Sequence, residues 1–310
     1  MEEVKLIVNP IAGGGTIGKH WPRIRRILRA EGLEFEASLS EGKGHAAELA
    51  RQALNGGYKT VVALGGDGTV NEVINGLMAE GAVDPEVALG IIPGEKGNDL
   101  ARTLGIPFDY ASACRKLLKG KPVPLDLGKI TYTHHGNEAR RYFINIAGLG
   151  FDGEVVRRVT LRLRGLSNPK IRYLSGLILT LATYKSREAR ITLDGKELRQ
   201  RAFSIVVCNG RYFAGGMEIA PQAEPNDGLF DVIVIGDFAK WELLANLSRA
   251  YRGTHLFHPK VKLYRVKEIK VWTEAQAGAG EGMLLQADGE LLGETPANFE
   301  LIPGALRVLL

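Results

Sequence analysis

The chain has 310 residues, 45% of them hydrophobic and 24% charged, which suits two domains with apolar cores and excludes a disordered chain. Its 40 Lys and Arg against 35 Asp and Glu leave a net charge of +5, a mild excess compatible with nucleic acid, an anionic membrane or a phosphorylated small molecule. The longest apolar run, near residues 174–184, is about half of the ~20 residues that span a bilayer, and two separated cysteines, Cys114 and Cys208, exclude a disulfide framework or a thiol zinc site.

Apolar and polar periodicities alternate through residues 1–126 as in a parallel α/β sheet. Residues 4–8 form a short apolar strand, followed by helical spacing at Trp21, Ile24, Ile27 and Leu28 that closes at Gly32. A strand over 35–39, a helix over 46–54 and a β-branched strand over 60–64 come next. Helical patterns then occupy 70–78, 100–104 and 111–118, with a strand over 87–92 before Pro93. From about residue 127 the character changes. Strand-like runs at 142–147, 189–193, 203–207, 229–235, 269–272, 282–286 and 306–309, separated by turn pairs such as Asp194-Gly195, predict a mainly antiparallel β domain over 127–310. The last strand is left free to return to the first domain, and the small-residue stretch 275–282 reads as a mobile loop.

Gly65-Gly66-Asp67-Gly68-Thr69-Val70-Asn71 joins a buried strand to a helix. Glycines there let phosphate oxygens approach backbone N–H groups at the positive end of the helix. Asp67 repels a bare phosphate, so it either caps the helix or faces a Mg²⁺ between itself and the phosphate. Asn9, followed by Gly13-Gly14-Gly15, lies after the first strand, and Ser40 follows the second. In an open parallel sheet these loops share the crevice beyond the strand ends. A further loop after Pro93 holds Lys96, placed to reach a phosphate. In the second half, Asp227-Gly228 and Asp288-Gly289 are turn pairs by themselves. His255 and His258 are spaced too closely for an HExxH site.

GGDGTVNEV, the NP–GGG loop and GND-LAR resemble the catalytic domain of bacterial diacylglycerol kinases and sphingosine kinase-like lipid kinases. GGDGT is shared with NAD kinases and phosphofructokinases of similar fold, so NAD kinase-like action on a soluble substrate, or a nucleotide-responsive membrane module without turnover, are the alternatives. The runs 207–210, 214–217, 219–223 and 227–231 and the late Asp288-Gly289-Glu290 are similar to the lipid-kinase β domain, so the resemblance covers nearly the whole chain.

That resemblance implies an ATP- and Mg²⁺-dependent lipid kinase, with diacylglycerol as first acceptor. Asn9, Gly13, Gly14, Gly15, Ser40 and Gly65 through Asn71 would hold ATP, with Asp67 near the catalytic Mg²⁺. Glu224, Asp227 and the carbonyl of Leu229 match a structural Mg²⁺ site, and the general base falls on Asp288 or Glu290. The chain departs from the family where Glu95-Lys96 replaces Gly-Thr, which makes Lys96 the expected phosphate contact there.

Between Val155 and Arg187 no acid occurs, while Arg157, Arg158, Arg162, Arg164, Lys170, Arg172 and Lys185 alternate with leucines. The segment is expected to meet anionic lipid headgroups or to form a solvated helix face. Acids at the N-terminus do not suit a secretory signal. The expected protein is therefore cytoplasmic and peripheral to the inner membrane face, with no nucleic-acid partner and with an edge-strand homodimer left open.

Overall fold

Strands whose side chains are buried on both faces need covering on both sides, and β1 (Val4–Val8), β3 (Thr60–Gly65) and β4 (Ala88–Pro93) are of this kind. In the computed structural model, which describes residues 4–94, 97–134, 137–162, 169–273 and 282–310, they pair in parallel with β2 (Phe35–Leu39) in the order β4-β3-β1-β2. The helices between them are α1 (Thr16–Ala30), α2 (His45–Asn55) and α3 (Asp67–Leu77), followed by α4 (Asp99–Thr103) and α5 (Tyr110–Lys119). The side chains of 162, 169–172, 174 and 244 are outside the description too.

The second half begins with β5 (Pro122–His134), which forms a hairpin with β6 (Asn137–Phe143). Then come β7 (Ile146–Gly150), α6 (Phe151–Arg157), α7 (Pro169–Thr183), β8 (Arg187–Leu193), β9 (Lys196–Ala202) and β10 (Ser204–Cys208). A small ladder of β11 (Tyr212–Phe213) and β12 (Met217–Glu218) precedes β13 (Phe230–Ile235), α8 (Lys240–Ala250), a 3-10 turn over Thr254–Phe257 and β14 (Val261–Val266). The chain finishes with β15 (Glu268–Thr273), β16 (Leu284–Ala287) and β17 (Glu290–Leu309). The antiparallel order is β14-β13-β10-β7-β16-β17.

β17 joins the two halves. Its first part pairs antiparallel with β16 and β15, the strand pairs antiparallel with β5 from Glu294 to Leu309, and Arg307 and Val308 also pair in parallel with Ala88 and Leu89 of β4. Leu306 and Val308 accordingly sit in the core of the first half, along with Leu125 and Leu127 from β5. In β10, Ile205 and Val207 enter one apolar cluster and Val206 and Cys208 enter another, as period-2 alternation requires of a strand covered on both faces. Phe143 stacks on Phe230 at 5.6 Å and meets Phe299 edge-on at 6.4 Å in the larger of these clusters.

The strand expected over 142–147 is two strands. β6 ends at Phe143 and β7 starts at Ile146, because the N–H groups of Ile144, Asn145 and Ile146 all donate to the Asp288 carboxylate. Glu95 and Lys96, most of the expected 275–282 loop, and part of the basic stretch at 163–168 lie outside the described residues.

Candidate active site

The β3–α3 turn is dictated by a tight steric fit. A Cβ on Gly65 would lie 2.3 Å from Thr69 Oγ1, whereas one on Gly68 would meet nothing within 4 Å and would project into an open cavity. Thr69 accepts from Asn9 Nδ2 at 2.9 Å, and Asn9 N donates to Leu64 O at 3.0 Å, so the first loop is tied to the second. Gly13, Gly14 and Gly15 have φ of 62°, 67° and 87°, a left-handed run open to glycine at little steric cost.

A polar cavity of about 320 Å³, counted as space open to the centre of a water molecule, lies over this turn. Asn9, Lys43, Gly66, Asp67, Gly68, Thr69 and Glu72 line it from the first half, and Glu290 lines it from the second. Gly13–Gly15 and Ser40 are outside that lining; Ser40 is buried, with its N–H on Val8 O. Val70 is fully buried in the core and Asn71 is buried, outside the cavity lining and bonded to Asp288, so at these two positions the backbone and the network, not the cavity wall, carry whatever they contribute. Lys96 lies outside the described residues.

Asp67 accepts from the N–H groups of Asp99 at 2.9 Å and Leu100 at 3.2 Å, capping α4 from a different loop. Burial pushes its carboxyl up to about 7, with the Asp99 and Asp288 charges adding to the effect against those backbone donors. Asp99 accepts from Gly215 N at 2.8 Å, tying α4 to the second half, and burial raises its carboxyl as well.

Asp288 and Glu290 play visibly different parts. Asp288 and Gly289 have φ of 46° and 83°, the paired left-handed residues of a tight hairpin turn between β16 and β17. Asp288 is half-buried, and its two oxygens accept four hydrogen bonds, from Ile144 N, Asn145 N, Ile146 N and Asn71 Nδ2, at 2.8–3.2 Å. Burial raises its carboxyl against these donors. Glu290 faces the cavity, with Oε2 2.9 Å from an Arg141 guanidinium nitrogen and 3.9 Å from Lys43 Nζ. The same Arg141 nitrogen donates to Asn71 Oδ1 at 2.7 Å. Asn71, Arg141, Asp288 and Glu290 thus form one connected group.

A second cavity, about 130 Å³ by the same measure, is almost wholly apolar. Phe151, Phe203, Met217, Phe238, Leu243 and Leu247 are among its walls, and His255 and His258 line it too. Asp152, also in its wall, accepts from Gln286 Nε2 at 3.1 Å, and Gln286 Oε1 accepts from Gly289 N at 3.0 Å. One side chain therefore separates this apolar space from the turn that carries Glu290.

The expected metal residues are near one another. Asp227 N donates to Glu224 O at 3.3 Å, and Asp227 accepts from Leu229 N at 3.0 Å. Asp227 is also paired with Arg265, whose guanidinium supplies the positive charge there. Among the described residues no group of three or more His, Cys, Asp and Glu converges to hold a metal ion. Asp231, buried next to them, accepts no hydrogen bond at either oxygen, and Arg265 Nε stands 3.8 Å away.

Arg141, Lys43 and Asp126 carry no sequence signal that marked them. Asp126 accepts from Gly228 N at 2.8 Å and Gly304 N at 2.7 Å, tying β5 to the turn before β13 and to the end of β17. Within the acid-free segment, Arg157 and Arg158 are bound by Glu154 just before it, at 2.8 and 2.9 Å, which spends their charge locally.

Residues 3–130 match the diacylglycerol kinase catalytic domain, and residues 145–310 match the YegS C-terminal NAD kinase beta sandwich-like domain. The chain is 30% identical over 298 residues to a diacylglycerol kinase of Staphylococcus carnosus (strain TM300), covering 96% of this chain and 92% of that protein. It is 30% identical over 300 residues to a diacylglycerol kinase of Bacillus subtilis (strain 168), covering 96% and 93%. A crystal structure of a diacylglycerol kinase from Bacillus anthracis str. Sterne superposes with a TM-score of 0.71 at 25% identity, over 99% of this chain and 96% of that one. Yeast NADH kinase complexed with NADH shares the fold, with a TM-score of 0.56 at 10% identity over 100% and 83% of the two chains.

Proposed function

The chain belongs to the diacylglycerol kinase family and is a lipid kinase; from that premise we propose that it moves the γ-phosphoryl group of ATP onto the free hydroxyl of a membrane lipid, diacylglycerol first. One observation carries this reading: Glu290, from the far half of the sequence, stands in the lining of the cavity built by the glycine-rich loops.

In this reading the first turn of α3 and the Asn9 loop hold the phosphates, since helix N-terminal amides attract anions. Glu290 takes the proton of the lipid hydroxyl. The hydroxyl oxygen bonds to the γ-phosphorus while the bond from that phosphorus to the β–γ bridging oxygen breaks, and ADP leaves with the electron pair. Asp288 is unsuited to be the base because four donors already occupy its oxygens. It fixes the turn instead. Arg141 holds Glu290 Oε2 towards the cavity.

Asp67 fits a Mg²⁺ requirement. A cavity-facing carboxyl raised to about 7 by burial gains from a nearby cation. When bound, the ion would neutralise charge on the phosphate oxygens. The set at Glu224, Asp227 and Leu229 would accept a second ion only after Asp227 leaves Arg265.

The apolar cavity suits the acyl part of the lipid. Ile178, Leu179, Trp241 and Phe257, on α7, α8 and the 3-10 turn that also supply lining residues, are exposed and with the basic stretch suit contact with an anionic bilayer. No helix among the described residues is long and apolar enough to cross a membrane.

The test is incubation with γ-labelled ATP, Mg²⁺ and vesicles containing diacylglycerol, with products read by mass spectrometry. Phosphatidic acid is expected, more of it as the anionic lipid fraction rises and less at high salt. Label on a soluble acceptor such as NAD⁺ with none on lipid would overturn the reading.

A further inference from the structure

This inference rests on the reading that ATP fills the polar cavity. Three carboxylates, Asp67, Glu72 and Glu290, line that space, and among the described residues Lys43 is the cation in its lining. A triphosphate entering there meets concentrated negative charge, so the position of a lysine matters.

The loop that carries Lys43 is pinned. Glu72 accepts from Gly44 N at 2.9 Å and Ala46 N at 3.2 Å, Glu41 N donates to His45 Nδ1 at 3.0 Å, and Ser40 N donates to Val8 O at 2.8 Å. The Lys43 side chain, in contrast, is 78% exposed. Its Nζ stands 3.9 Å from Glu290 Oε2, beyond hydrogen-bond range, while Arg141 holds that same oxygen at 2.9 Å. A pair so long and so exposed is weak, and Glu290 keeps a cation when Lys43 departs. A Cβ at Gly42 or Gly44 would meet nothing within 4 Å, so neighbouring backbone leaves the side chain room to swing.

We propose that Lys43 binds the terminal phosphate of ATP. It exchanges its loose contact with Glu290 for that phosphate, distinguishes a nucleoside triphosphate from a diphosphate, and draws the transferable group to the carboxylate that accepts the lipid proton. Lys43 is a specificity and positioning residue carried by a fixed loop on a mobile stem.

Titration calorimetry of the full chain with Mg²⁺ tests this, using a non-hydrolysable ATP analogue and, separately, ADP. Lys43→Ala should weaken the analogue about tenfold, as expected for one charge-assisted contact, and leave ADP within about twofold. Lys43→Arg should keep analogue affinity within about threefold. Thermal melting of the nucleotide-free variants should match wild type, since the side chain is exposed. Equal losses for both nucleotides, or no loss for the analogue, overturn the role of Lys43 while ATP binding stands. Wild type that binds neither nucleotide overturns the ATP reading and this inference with it.

Discussion

The carboxamide of Asn71 donates to the carboxylate of Asp288 across 2.8 Å, joining positions 217 residues apart. The same side chain accepts from Arg141 at 2.7 Å, so one buried amide orients both Asp288 and the arginine that holds Glu290. Asn71→Ala should cost about 1–3 kcal/mol in denaturant unfolding, the usual penalty for stranding buried partners, and should lower kcat with it. Asn71→Asp should be worse, because it places a second carboxylate, itself buried, against that of Asp288. If aspartate proves milder than alanine in the unfolding curve, the hydrogen-bond assignment is wrong.

Glu290 and Asp288 separate by which property fails. Glu290→Gln should keep the melting temperature and lose about 10²–10⁴ in kcat, the range for a general base. Asp288→Asn replaces an acceptor oxygen with an NH₂ group that faces backbone donors, so it should lower the melting temperature first. Paired melting and rate measurements decide; a stable Asp288→Asn with a Glu290-like rate loss would exchange their roles.

The fold was legible where burial leaves a simple pattern. β1, β3 and β4 are continuous apolar runs because both faces are covered, and Gly65 marks a turn whose packing against Thr69 leaves no room for a Cβ. β17 was visible only at its end. Pro296 and the Pro303-Gly304 pair suit a strand interior poorly, yet β17 absorbs them as register shifts at Glu294/Ala297 and Ile302/Leu306. Arg141 shows why part of the site was hidden. It follows Arg140 in a polar edge hairpin, and only strand alternation sends Arg140 to solvent beside Glu138 and Arg141 to Asn71 and Glu290. The face taken by each depends on pairing with β5, which the local residues do not state. Asp288 and Glu290 looked like ordinary turn residues until a family likeness singled them out.

Asp231 gives a pH test independent of turnover. Burial pushes its carboxyl from 3.8 up to about 6, Arg265 opposing and Asp227 and Glu224 adding. A carboxyl raised in the folded state holds its proton more tightly than in the unfolded chain, so stability falls as pH rises from about 4 to about 6 and stays lower above. Asp231→Asn abolishes this loss. The variant's melting temperature relative to wild type should therefore improve between pH 4 and pH 8 by a few degrees, roughly 2–4 °C per kcal/mol. A difference independent of pH would show that Asp231 is not held in a raised state. Mg²⁺ that stabilises wild type at pH 8 and not the variant would place a cation at this cluster.

Filling the apolar cavity should affect the lipid and spare the nucleotide. Ala250 lines it from α8, and Phe151 and Phe203, which stack at 4.5 Å, line it as well. Ala250→Phe occupies part of the space with a rigid ring. The extra bulk is predicted to cost about 1–3 kcal/mol of stability if the walls cannot yield. In kinetics the variant should raise the KM for long-chain diacylglycerol about tenfold, as for lost burial of about two methylenes in all, with the KM for ATP unchanged. Short-chain diacylglycerol should be less affected, since less of it needs the cavity. If both chain lengths suffer alike while the protein stays folded, the acyl chains lie elsewhere, and the apolar space serves packing or the conformation of the Gln286 turn through Asp152.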